Sequence, residues 1–78
     1  MVNKSIMPLV LVEEGKEAIV VEVKGGYGFV RRLAELGIVP GVKIKIENNS
    51  WGPIVVSISG FKIALGRGMA RKILVRMA

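Results

Sequence analysis

The chain contains no cysteine and no histidine, and no aspartate, threonine or glutamine either. Each absence closes a class of chemistry. Without cysteine there is no disulfide, no thiolate nucleophile and no zinc ribbon. Without histidine there is no imidazole to ligate a metal or to move protons near neutral pH. Neither a Ser-His-Asp nor a Cys-His constellation can be assembled from what is left. Acid is scarce too: six glutamates stand against twelve Lys and Arg, a formal net charge of +6. Tyr27, Phe29, Trp51 and Phe61 are the only aromatic residues. No apolar run approaches the ~20 residues that cross a bilayer as a helix.

What is present is aliphatic. Hydrophobic residues make up 51% of the 78 and charged residues 23%, the balance of a packed globule and not of a disordered tail. A chain of this length holds one core, so residues 1–78 are expected to form a single domain. With no disulfide or metal to staple it, that domain must be stabilised by dense aliphatic packing.

Ser5 to Val12 form an apolar run of secretory length, but only Lys4 precedes it as a charge. Pro8 interrupts it, and Glu13-Glu14 follow where a leader has small residues. The run therefore reads as an N-terminal strand, and the expected location is the cytoplasm. Asn48-Asn49-Ser50 matches a glycosylation sequon, which without secretion is a chance match.

Most of the chain has a period of two. Ile19, Val21 and Val23 share one face of a strand, with Val20, Glu22 and Lys24 on the other. Val42, Ile44 and Ile46 point inward against Lys43, Lys45 and Glu47. Ile54, Val56 and Ile58 alternate with Val55, Ser57 and Ser59, and Phe61, Ile63 and Leu65 with Lys62 and Ala64. Ile73, Val75 and Met77 alternate with Lys72, Leu74 and Arg76. With the N-terminal run, the count is five to six short strands at the spacing of a small barrel. Residues 27–36 break the period: Val30, Leu33, Ala34 and Leu36 fall at helical spacing, with Arg31, Arg32 and Glu35 on the wet side. Gly37 fits the left-handed C′ position, Ile38 would pack back on Leu33, and Pro40 stops the helix from resuming. Pro40-Gly41 suits a type II turn and Ser59-Gly60 a tight hairpin. Residues 48–53 form a longer hairpin loop, and residues 66–71 a short helical turn before the last strand.

Gly26-Tyr27-Gly28 and Gly66-Arg67-Gly68 do not complete a phosphate loop, because Arg31 and Arg71 occupy the sixth positions and no Gly-Lys-Ser/Thr follows. Glu13, Glu14 and Glu17 crowd one loop but lack the alternating oxygen pattern of a calcium site, and Lys16 sits among them; they read as a solvated turn. No metal or cofactor site is expected. The cations raise the question of nucleic acid. Stacking would need aromatic platforms on the basic face. Phe61 reads as core, and Tyr27 and Phe29 open the helix, so nucleic acid is not the expected partner. Trp51 is left on a polar loop, where it either anchors a protein partner or folds back to cap the barrel.

Leu33-Ala34-Glu35-Leu36-Gly37-Ile38-Val39-Pro40-Gly41 resembles the L-x-E-L-G-I-x-P-G segment of the FeoA family, the accessory proteins of ferrous-iron uptake. Gly15, Ile19 and Gly25 before it fit the same pattern, as do Gly52-Pro53, Ile63-Ala64-Leu65, Ala70, Ile73 and Val75 after it. Residues 66–69 depart from the family's usual charged or polar residues ahead of Ala70. The resemblance implies an SH3-like barrel, a module also found at the C-terminus of DtxR-type repressors. With no DNA-binding domain between Met1 and Ala78, the free-standing form of the family is expected. The resemblance also implies a non-enzymatic role beside FeoB, the membrane GTPase-linked ferrous transporter, without insertion into the bilayer. The residues expected to meet that partner are Trp51, Arg31 and Arg32, with Lys62, Arg67 and Arg71 outside them. An exposed strand edge or the Trp51 loop could also pair protomers weakly.

Overall fold

The computed structural model describes residues 5–78. Lys4 lies outside them, as does the start of the expected 1–78 domain. Six strands form one antiparallel sheet: β1 (Ile6–Pro8), β2 (Glu17–Val23), β3 (Lys43–Asn48), β4 (Ile54–Ile58), β5 (Phe61–Leu65) and β6 (Ile73–Met77). Their order across the sheet is β1-β6-β2-β3-β4-β5. Helix α1 (Tyr27–Glu35) joins β2 to β3, and the one-turn helix α2 (Arg67–Ala70) joins β5 to β6. Leu9 and Val12, beside the β1 edge, share one core with Leu65 of the opposite edge strand. The sheet therefore curls on itself as the expected SH3-like barrel.

The alternating residues of β3, β4 and β6 bury as their period requires: Ile44, Ile46, Ile54, Val56, Ile73 and Val75 are all inside. The end of α1 is a Schellman stop. The Ile38 N–H donates to the Leu33 carbonyl and the Gly37 N–H to the Ala34 carbonyl, both at 2.9 Å, with Gly37 at φ 89°. Leu33 and Ile38 are both buried. Gly41, at φ 95°, closes the Pro40 turn, in which the Val42 N–H reaches the Val39 carbonyl.

Four expectations change. The N-terminal run is not one strand: it pairs with β6 only over Ile6–Pro8 and then winds into a 3₁₀ turn, Leu9–Leu11. In β2 Ala18 and Val20 are buried, and Ile19, Val21 and Val23 do not share one face as the period implies: of the three, only Val23 packs against the core. Val20 faces Val75 while Glu22 faces Leu74, so Val21 is an extra residue, and the alternation flips after it. In α1 only Leu33 is fully buried; Phe29 packs partly on the core, while Val30, Ala34 and Leu36 stay exposed. Phe61 is not core. It follows the hairpin tip on the edge strand, beyond the reach of the covering side chains, and is 74% exposed.

Candidate docking site

The loop between β3 and β4 is held by polar side chains. A bulge at Glu47 interrupts the β3–β4 pairing near its end: Ile46 faces Val56, and Asn48 faces Val55. The chain then turns on Asn48, whose Oδ1 accepts the Ser50 N–H at 3.1 Å. Asn49 Nδ2 donates to two carbonyls of the 3₁₀ turn and its end, Val10 at 3.0 Å and Val12 at 2.7 Å. The Ser50 hydroxyl donates to Glu14 Oε2 at 2.8 Å. Trp51, next in sequence, is 85% exposed. It does not fold back over the barrel end, which removes the capping alternative. Leu11, 66% exposed, lies between the two residues whose carbonyls Asn49 holds. The loop thus fixes its backbone through Asn48, Asn49 and Glu14 and leaves an indole and a leucine facing out.

Glu14 is more than part of a solvated turn. The Asn49 backbone N–H and then the Ser50 hydroxyl bond its carboxylate, holding its pKa below the usual glutamate value. A carboxyl with a lowered folded-state pKa stabilises the fold fully above its unfolded pKa, and that contribution is lost as pH falls through the folded value. Glu14→Gln is therefore expected to flatten the acid side of the stability profile, below about pH 4.3. Denaturant melts of both forms at a series of pH values check this; superimposable acid limbs would contradict it.

The cations fall into separate groups. Arg67 and Arg71 belong to or cap α2, which packs on the same 3₁₀ turn that holds the Trp51 loop. The Trp51 loop and α2 thus both meet the 3₁₀ turn that carries Leu11. Arg31 and Arg32 lie exposed on α1, where Arg31 Nε is 3.8 Å from Glu35. The ring of Phe29, also on α1, carries Lys72 Nζ at 5.2 Å, which sets α1 beside the residue that follows Arg71. Lys62 is apart from the rest, because the Trp51 loop precedes Ile54 and Lys62 follows the turn after Ile58, at the opposite end of β4.

Sequence reasoning missed Leu11 and the fixing roles of Asn49 and Glu14. These contacts join residues 36 to 39 apart in the chain, so no local pattern reports them. Among the described residues no polar or charged side chain is buried, and no three carboxylates stand close enough to hold a metal ion. A shallow open groove on the outer face is lined by Glu17, Lys43, Lys45 and Ser57, and Lys43 Nζ lies 3.9 Å from Glu17. Among the described residues no helix is long and apolar enough to cross a membrane.

A six-stranded SH3-like barrel with one inserted helix and a polar-braced, tryptophan-bearing loop is the class these observations define. The model of the FeoA domain family matches residues 7–77. A protein of Methanocaldococcus jannaschii assigned as Fe(2+) transport protein A is 44% identical over 71 residues, covering 91% of this chain and 87% of that one. The chain belongs to the FeoA family. Among solved structures, the crystal structure of an iron uptake regulatory protein, FeoA, superimposes with a TM-score of 0.87 at 34% identity, covering 95% of this chain and 99% of the other. A manganese-dependent transcriptional repressor matches in fold, with a TM-score of 0.86 at 20% identity; all of this chain overlies 45% of the repressor.

Proposed function

We propose that this protein is a non-enzymatic accessory of ferrous-iron uptake that docks on the cytosolic portion of the membrane transporter FeoB and modulates it. The names of its relatives, an Fe(2+) transport protein A and an iron uptake regulatory protein, support the pathway. The observation that carries the docking reading is Trp51: an indole 85% exposed on a loop whose backbone is already fixed. Ordering the loop before contact lowers the entropy lost on binding, and tryptophan is among the residue types enriched at energetic hot spots.

The roles follow from position. Trp51 is the anchor, with Leu11 extending its apolar contact. Arg67 and Arg71, in and capping the helix that packs on the same turn, form one part of the charged rim, and Arg31 and Arg32 on α1 form another. Rim charges speed encounter with an acidic surface and are screened by salt, whereas the anchor governs dissociation. Iron is the transporter's cargo in this scheme, and the accessory binds none itself.

The test is a pull-down of purified chain with the cytosolic portion of FeoB at low salt, with and without guanine nucleotide. Retention in at least one nucleotide state is expected, and no retention in either would overturn the reading. Anisotropy with single-stranded and duplex DNA probes is the companion measurement. Binding that falls with salt at a log–log slope of about −0.7 to −0.9 per phosphate contact would instead favour a nucleic-acid role.

A further inference from the structure

The two edges of the sheet are built differently. β1 has three residues, one of them Pro8. A short edge carrying proline is a poor template for another chain. β5 has five residues, with no proline and no register break against β4. Its free side therefore has none of the usual devices that blunt an edge except the single charge of Lys62.

The hairpin fixes which groups on that side are free. Ile58 faces Phe61 across a two-residue turn, and Ser59 and Gly60 both have positive φ, 51° and 87°. This is the type I′ geometry, in which the pair closing the turn exchanges both of its hydrogen bonds. The alternation then directs the N–H and C=O of Phe61, Ile63 and Leu65 toward β4, and those of Lys62 and Ala64 outward. The side chains alternate as well. Phe61 and half-buried Ile63 share the face of buried Leu65, and Lys62 lies on the outer face. Across the outer face Lys62 faces Ser57, which in turn faces Lys45. The nearby Glu47 carboxylate already accepts the Ser57 hydroxyl at 2.7 Å.

We propose that the β5 edge accepts an extended segment of a partner protein in which apolar and acidic residues alternate, adding a seventh strand to the sheet. Its apolar side chains cover Phe61 and Ile63, and its acidic side chains meet Lys62. Main-chain hydrogen bonds to Lys62 and Ala64 supply affinity, and the alternation supplies selectivity. Charge complementarity decides the occupant. A second copy would bring +6 against +6. Phe61 and Lys62 lie at the end of β4 away from the Trp51 loop, and the main-chain groups the edge offers belong to β5 itself, so this is a second surface that does not depend on how that loop is used.

The test is a titration of the full-length ¹⁵N-labelled chain with a capped nonapeptide of alternating glutamate and valine. Saturable shifts are expected at residues 61–64, with amide exchange at Lys62 and Ala64 slowed about tenfold when peptide exceeds its Kd tenfold. Ala64→Pro removes an outward N–H at a position where an edge strand tolerates proline, and it should abolish binding. Lys62→Glu leaves the backbone intact and should weaken binding about tenfold or more. A lysine–valine peptide should not bind, and Trp51→Ala should leave glutamate–valine binding unchanged. Lack of shifts at millimolar peptide, shifts centred on the Trp51 loop, or undiminished binding by Lys62→Glu would each overturn the proposal. So would protection of Lys62 and Ala64 that rises with protein concentration in the absence of peptide, which would make a second copy the occupant.

Discussion

Leu33→Ala will cost this domain about 2–5 kcal/mol, the range for deleting a buried leucine whose site cannot fully collapse. Leu33 is the one fully buried residue of α1. Its carbonyl also receives the Ile38 N–H that closes the helix. The substitution leaves a void beneath α1 and removes the main side chain holding the helix to the barrel. Small domains have only about 5–15 kcal/mol of total stability, so the loss is a large fraction of the whole. At ~4–8 °C of melting temperature per kcal/mol for a chain of this size, the midpoint should fall by about 10 °C or more. Circular-dichroism melts check this. Leu33→Met, which nearly conserves volume, should cost less than ~1.5 kcal/mol. A drop under about 1 kcal/mol for the alanine variant would mean that the helix is held by something else.

Trp51→Ala should do the opposite: spare the fold and weaken the proposed docking. With 85% of its surface exposed, Trp51 contributes little to packing, and its loss should move stability by no more than ~0.5 kcal/mol. If the indole is the anchor, affinity for the transporter's cytosolic portion should fall by about 2 kcal/mol, roughly thirtyfold, mostly as faster dissociation. Asn49→Ala separates the anchor from its support. It leaves the Val10 and Val12 carbonyls without their shared donor, a loss of about 1–3 kcal/mol in stability for partly buried groups. It should weaken docking less than Trp51→Ala does. Equal affinity for wild type and Trp51→Ala would remove the anchor role.

The local features of this fold were legible because local chemistry dictates them. Gly37, Ile38 and Pro40 announce a helix stop in any context, and Ser59-Gly60 announces a hairpin. The strand periods of β3, β4 and β6 carried through to burial. The misreadings share a different origin. Val21 is bulged because of how β2 meets β6, and periodicity within β2 contains no record of β6. Phe61 has the parity of a core residue but sits where the sheet ends, and parity does not report whether a face is covered. Leu11 reads as the continuation of a strand because the 3₁₀ turn after Pro8 lies within one apolar run, and nothing in that run marks where pairing with β6 ends. Of the six expected partner residues, Trp51 lies on a loop tied to the 3₁₀ turn, Arg67 and Arg71 lie in and cap the helix that packs on that turn, Arg31 and Arg32 lie on α1, and Lys62 lies on the edge strand. The contacts that fix the Trp51 loop, from Asn49 and Glu14, are non-local and visible only in the fold.

The most direct measurement of the account is a kinetic titration of the cytosolic portion of FeoB with the wild-type chain and with Trp51→Ala, across a range of salt and in both nucleotide states. The account predicts a wild-type complex in at least one state, with association that slows as salt rises and dissociation about thirtyfold faster in Trp51→Ala. No complex at low salt in either state, or a complex indifferent to Trp51, would contradict it.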